Sequence, residues 1–164
     1  MNEEQFLNYF LGFVDGEGCF CIALKRQQSA KMRWVLDPVF HVTQHANYKE
    51  LLYSFQKFLN CGIVMKKYGQ ENTMQFIVQS RKELIEKIIP FFEKNKLIVK
   101  KKAFAIFAEV VKGLDEHQHG NVDDFKKLVR KVFTMNNGGK YRKYALNEVL
   151  ESIGSSETIR QTTK

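Results

Sequence analysis

An α+β fold, with one curved antiparallel four-stranded sheet backed by helices in the order αββαββα, is what this 164-residue sequence predicts. Three observations carry the expectation. Apolar residues recur at helical spacing in some segments and alternate strictly in others. The alternating segments come in two pairs, each joined by a short polar stretch, which suits antiparallel pairing. Hydrophobic residues make up 44% of the chain, enough for a real core at this length.

Residues 4–15 read as a helix, with Phe6, Leu7, Phe10, Leu11, Phe13 and Val14 making it apolar nearly all round and therefore buried. Gly12 and Gly16 fall four apart on one face, where a close neighbouring helix would justify them; alternatively Gly16 and Gly18 simply end the helix. Residues 19–28 alternate, with Phe20, Ile22 and Leu24 on one face and Cys21, Ala23, Lys25 and Gln27 on the other. The next strand, about 34–43, puts Trp34, Leu36, Phe40 and Val42 inward, and Pro38 suggests a bulge or an edge position. A helix over 47–59 is stopped by Asn60-Cys-Gly62. Residues 63–68 and 73–79 form a hairpin around Gly69–Asn72, with Phe76 and Val78 inward. Helices follow at about 81–93, kinked at Pro90, and at 100–113, 123–134 and 144–153. Residues 1–154 are expected to form one domain, and 155–164 a flexible polar tail.

The net charge of +8 points to a polyanionic partner, nucleic acid first. No apolar run is long enough to span a bilayer, and the N-terminus lacks signal-peptide features, so an intracellular setting and no membrane partner are expected. Cys19, Cys21 and Cys61 suggest no disulfide framework and no zinc spacing; they read as packing or surface residues. The outer sheet face, rich in Lys, Gln, His and Thr, fits either plain solvation or a face laid into a DNA major groove.

The chemistry concentrates in Asp15-Gly-Glu-Gly18. Two carboxylates stand at the C-terminal end of a helix, where unpaired carbonyls already carry negative charge, at a cost of up to about 1 kcal/mol each. A hard divalent cation binding carboxylate and carbonyl oxygens would relieve this; solvated carboxylates are the alternative.

Phe10-Leu-Gly-Phe-Val-Asp-Gly-Glu-Gly18 resembles the signature of the LAGLIDADG homing endonucleases, and Phe20 matches the strand position that follows. Phe40-His-Val-Thr-Gln44 resembles the end of the family's second strand, Leu97-Ile-Val-Lys-Lys-Lys-Ala103 its basic segment before a later helix, and Met135–Lys143 its phosphate-contacting loop. The resemblance implies the homing endonuclease fold and metal-dependent cleavage of double-stranded DNA, with Mg2+ held by Glu17 and the Gly16 carbonyl. Gln44 would order water. An ungapped match puts Val99 at one expected lysine position, so Lys101 or Lys100 would have to serve in the catalytic site, with Lys101 favoured. A single motif resembles the homodimeric branch, with Gly12, Phe13 and Gly16 at the dimer interface and a long, roughly palindromic target. Lys25, Gln27, His41, Lys67 and Gln75 would contact bases, and Lys140, Arg142 and Lys143 phosphates. The family also includes RNA maturases, so an RNA partner or a non-cutting DNA-binding role is the alternative reading. His117-Gln-His119 and His45 read as surface histidines.

Overall fold

The computed structural model describes residues 1–135 and 143–161, with side chains through Ile153. Helix α1 (Glu3–Glu17) starts in a reciprocal cap: Asn2 Oδ1 accepts from the Gln5 N–H at 2.9 Å, and Gln5 Oε1 accepts from the Asn2 N–H at 3.0 Å. Glu3 and Glu4 in its first turn suit the helix dipole. Burial is narrower than the sequence suggests. Only Phe10 and Val14 are buried; Phe6, Leu7, Leu11 and Phe13 are half-buried, and Tyr9, Gly12 and Gly16 are exposed. Among the described residues, part of the apolar surface of this helix is left open to solvent.

Strands β1 (Gly18–Arg26) and β2 (Trp34–His45) follow, then a 3₁₀ turn (Ala46–Tyr48), helix α2 (Lys49–Leu59), and strands β3 (Ile63–Lys66) and β4 (Thr73–Val78). The sheet order is β1-β2-β4-β3. β2 pairs antiparallel with β4 from Phe40↔Val78 to His45↔Thr73, and β3 with β4 from Ile63↔Ile77 to Lys66↔Met74. β2 is thus an interior strand, not the edge that Pro38 suggested. Pro38 is accommodated because it precedes the stretch paired with β4, so its missing N–H costs that ladder nothing. Asn60 (φ 51°) and Gly62 (φ 71°) turn the chain from α2 into β3. A Cβ on Gly62 would stand 2.7 Å from the Ile77 carbonyl oxygen.

The expected kink at Pro90 takes the form of a π turn. Helix α3 (Arg81–Glu83) widens into π geometry over Leu84–Ile88 and closes again as α4 (Ile89–Lys94). Proline has no N–H to donate, and its ring crowds the carbonyl four residues back; the wider turn lies directly before it. Leu84, Ile88, Ile89 and Phe92 all remain buried. Helix α5 (Lys101–Asp115), a 3₁₀ turn (Gln118–Gly120), α6 (Val122–Phe133) and α7 (Leu146–Gln161) complete the chain. The α7 backbone continues to Gln161, through residues expected to form a tail. Asn121 caps α6, its Oδ1 accepting from the Asp123 and Asp124 N–H groups at 2.9 and 3.2 Å. No helix of the described residues is long and apolar enough to cross a membrane.

The chain divides into two compact units. The first comprises Met1–Cys21 and Pro38–Ala105. Its core explains the heavy use of phenylalanine. Phe10 meets Phe55 edge-on at 4.7 Å, Phe20 stacks on Phe40 at 4.9 Å, and Phe92 contacts Phe40 at 5.5 Å and Phe104 at 5.7 Å. The second comprises Ile22–Asp37 and Ile106–Lys164. Within it Trp34 is buried, its Nε1–H donates to Ser152 Oγ at 2.7 Å, and its ring meets Tyr144 edge-on at 4.9 Å. Phe107, Val111, Phe125, Val129 and Val149 are buried in the same unit.

Candidate active site at the end of the first helix

Helix α1 hands over to β1 without a loop, and Gly18 permits this. A Cβ there would lie 2.7 Å from both the Val14 carbonyl oxygen and its Cγ1, while the Gly18 N–H donates to that same carbonyl. The handover leaves Gly16 and Glu17 exposed at the helix end.

The two motif carboxylates have different surroundings. Asp15 Oδ2 accepts from the Ile98 N–H at 2.8 Å; its Oδ1 accepts from the Val99 and Lys100 N–H groups at 3.2 and 3.0 Å. These donors lie immediately before α5, where helix-start amides lack intrahelical partners. Asp15 therefore caps α5 from another helix. Burial pushes its carboxyl upward, but the N–H groups of Ile98, Lys100 and Val99 and the charge of Lys100 together hold it below its ordinary value. The acid that seemed misplaced at one helix end is well placed at the start of another. Sequence reasoning left Asp15 with little to do. Its signal was the start of α5, where Leu97–Lys100 offers no Ser, Thr, Asp or Asn of its own as a cap.

Glu17 is exposed. Lys100, half-buried, donates from Nζ to the Gly16 carbonyl at 3.3 Å, which places an ammonium at the motif. The two candidate lysines are placed differently. Lys101, the first residue of α5, is exposed, and Lys100 is the lysine that reaches the motif. The reason is local: the Asp15 cap pins the Lys100 backbone beside α1. Gln44 lies near the end of β2, half-buried, its Oε1 accepting from the His45 N–H at 2.7 Å. The Glu17 carboxylate and Gly16 carbonyl are an all-oxygen donor set, the kind a hard divalent cation takes. The residues present therefore fit such an ion. Gly12 and Gly16 face open space: a Cβ on either would meet nothing within 4 Å.

The residues expected to read bases divide between the two units. In the first, His41 and Gln75 are half-buried on the outer sheet face, in register with Ile77 and Thr43 respectively. Lys67 follows β3 in the hairpin turn, its N–H bonded to the Thr73 carbonyl at 2.8 Å. That face is more apolar than expected, since Ile63 is 55% exposed, Met65 42%, and Ile77 is buried among its neighbours. In the second unit Lys25 pairs with Asp37, and Gln27 Nε2 donates to Ser29 Oγ at 3.2 Å. Lys143 is exposed and stands 5.4 Å from the Tyr144 ring centroid. Lys140 and Arg142 lie outside the described residues.

Sequence reasoning also missed a cluster of Cys19, Cys21 and His41, whose potential ligand atoms lie within 4.8 Å of one another. Strand alternation could have found it. Cys19 and Cys21 share a face of β1, and His41 points the same way from neighbouring β2. Hydrogen bonding with Cys21 and with His41 holds the Cys19 thiol well below the ordinary thiol range; burial opposes this, and the charges of His41 and Lys100 add to it. Burial instead pushes the Cys61 thiol up to about 11.

Comparison with known proteins agrees with this geometry. The LAGLIDADG endonuclease family model matches residues 10–111. The chain is 30% identical to homing endonuclease I-ApeII of Aeropyrum pernix, over 92% of either chain. It is 26% identical to DNA endonuclease I-CeuI of Chlamydomonas moewusii, over 95% of this chain and 72% of that one. Among solved structures it resembles an archaeal intron-encoded homing endonuclease, I-Vdi141I, complexed with DNA, with a TM-score of 0.88 and 35% identity over 96% of this chain and 99% of that one. With the motif helix, the sheet order and the matched residues in agreement, this chain belongs to the LAGLIDADG endonuclease family.

Proposed function

We propose that the chain is a homing endonuclease that acts as a homodimer, cutting both strands of a long, roughly palindromic DNA site in a Mg2+-dependent hydrolysis. The observation that carries this reading is the convergence at the end of α1 of an exposed Glu17, the Gly16 carbonyl and the Lys100 ammonium. Glu17 and the Gly16 carbonyl would hold the ion. The chemistry supplied by such an ion would be polarisation of the scissile phosphate and activation of water. Lys100, in place of Lys101, supplies positive charge for the phosphate oxygens as negative charge develops. The Gln44 amide orients water. The uncovered Gly12 and Gly16, with half-buried Phe13 beside them, would form the seam against a second copy of α1. His41, Lys67 and Gln75 would face bases, as would Lys25 and Gln27, with Lys140, Arg142 and Lys143 on phosphates. The net charge of +8 supports a DNA partner. The cysteines, which form no disulfide, suit an intracellular, reducing compartment.

The test uses the uninterrupted target of the host gene. Wild-type protein with Mg2+ gives a double-strand break; Glu17→Gln binds the same DNA and leaves it intact. Binding without cutting by the wild type would leave an RNA maturase or a non-cutting DNA-binding protein as the better reading. Cleavage by Glu17→Gln at the wild-type rate would show that Glu17 is misassigned.

A further inference from the structure

The Cys19, Cys21 and His41 cluster has no part in the hydrolysis above. We infer that these three side chains form a second metal site, selective for a thiophilic divalent cation such as Zn2+, with two thiolates and one imidazole as ligands and a fourth position open. Each residue brings a suitable atom, and all lie within 4.8 Å of one another. A tetrahedral zinc with Zn–S bonds of about 2.3 Å holds its sulfurs about 3.8 Å apart. The two sulfurs therefore have to close by at most about 1 Å, which side-chain rotation at half-buried positions can supply.

Two further observations point the same way. His41 Nδ1 is buried without a hydrogen-bond partner, so this ring still has an unsatisfied nitrogen. Cys21 Sγ sits 3.5 Å from the Val39 carbonyl oxygen, a weak contact that a metal–thiolate bond readily replaces. Among the described residues no other group of His, Cys, Asp or Glu side chains comes together as closely. Donor chemistry separates this site from the motif: carboxylate and carbonyl oxygens take hard cations, thiolates and imidazole take zinc. Occupancy would withdraw His41 from any contact with a base. The site does not depend on the nuclease reading.

Co2+ is the probe, titrated into the reduced full-length protein with Mg2+ in large excess to keep the motif oxygens occupied. The expected result is one Co2+ per chain, with the visible bands of a tetrahedral ion and a thiolate-to-cobalt charge-transfer band, both abolished by added Zn2+. Cys19→Ser and Cys21→Ser each weaken binding by at least about tenfold and diminish the charge-transfer band; His41→Gln weakens binding and leaves that band. Glu17→Gln and Cys61→Ser change neither, which keeps this site distinct from the motif and from the buried thiol. Absence of a charge-transfer band, its survival in the Cys19→Ser/Cys21→Ser double variant, or its loss in Cys61→Ser would each overturn the assignment. Should the serine variants fail to fold, X-ray absorption on the zinc-loaded wild type decides. Two sulfurs and a nitrogen around the metal support the site; oxygen and nitrogen alone overturn it.

Discussion

Replacing Asp15 with alanine removes the acceptor for three backbone N–H groups at once, those of Ile98, Val99 and Lys100. A charge-assisted bond contributes up to about 3 kcal/mol where water is excluded. Here the Ile98 and Val99 side chains are 82% and 74% exposed, and water can replace much of what is lost around them. The change is therefore nearer that of a strong helix cap, about 1.5–2 kcal/mol for Asp15→Ala. Asp15→Asn retains one side-chain acceptor and loses the charge, so about half that cost is expected. With a urea slope of about 2 kcal/mol per molar, the alanine midpoint falls by about 0.8–1 M at neutral pH, with the slope unchanged. The charge adds a pH signature. The folded-state carboxyl is held below its ordinary value of 3.8, so its contribution is fully present above that value and is lost as pH falls through the lowered one. The wild-type advantage over Asp15→Asn should thus hold at neutral pH and fade below about pH 4. A midpoint for Asp15→Ala within about 0.2 M of wild type would refute the capping argument. So would an Asp15→Asn protein of full stability that cannot cleave, since Asp15 would then act in chemistry.

Other outcomes follow from the same geometry. Lys100→Met should lower the cleavage rate about a hundredfold with DNA binding retained, while Lys101→Met changes it less than about threefold; the reverse order in single-turnover assays would restore Lys101 to the site. A Cβ at Gly12 meets nothing within 4 Å among the described residues, so for Gly12→Leu thermal stability should hold or rise while sedimentation shows dimers giving way to monomers. An unchanged dimer would place the seam elsewhere. Phe10→Ala opens the aromatic core and should cost about 3–5 kcal/mol in urea unfolding, far more than a similar change at exposed Tyr9.

Periodicity made most of the architecture legible. The inward residues of β2 and β4 were readable because alternation is enforced wherever one sheet face is buried: Phe40 and Val42 pair in register with Val78 and Phe76, all in the core. The end of β2 at His45 was less legible, since polar residues there keep pairing to Thr73 when the partner strand continues. α1 misled because hydrophobicity reports what a helix wants covered, not which molecule covers it. Its glycine face stands out by spacing, but only the family resemblance implied a second copy to cover it. At the site, Glu17 and Gly16 follow from the motif, but the lysine depends on a backbone position set by hydrogen bonds from Asp15. No local pattern encodes a contact between residues so far apart. The cysteine and histidine cluster was hidden for a related reason, since its spacing exists across two strands and not along one.

The Asp15 clasp also sets an order of events during synthesis. It joins residues 83, 84 and 85 positions apart, so the motif is made early and completed late. A nascent chain that has not yet released Lys100 from the ribosome carries the acidic pair of the motif without its cap and without its ammonium. Contacts this distant in sequence form only after the intervening loop has been closed by other structure. Truncated products ending before α5 would thus hold the recognisable signature and lack the arrangement around it. Completion of the motif is thereby tied to synthesis of the start of α5.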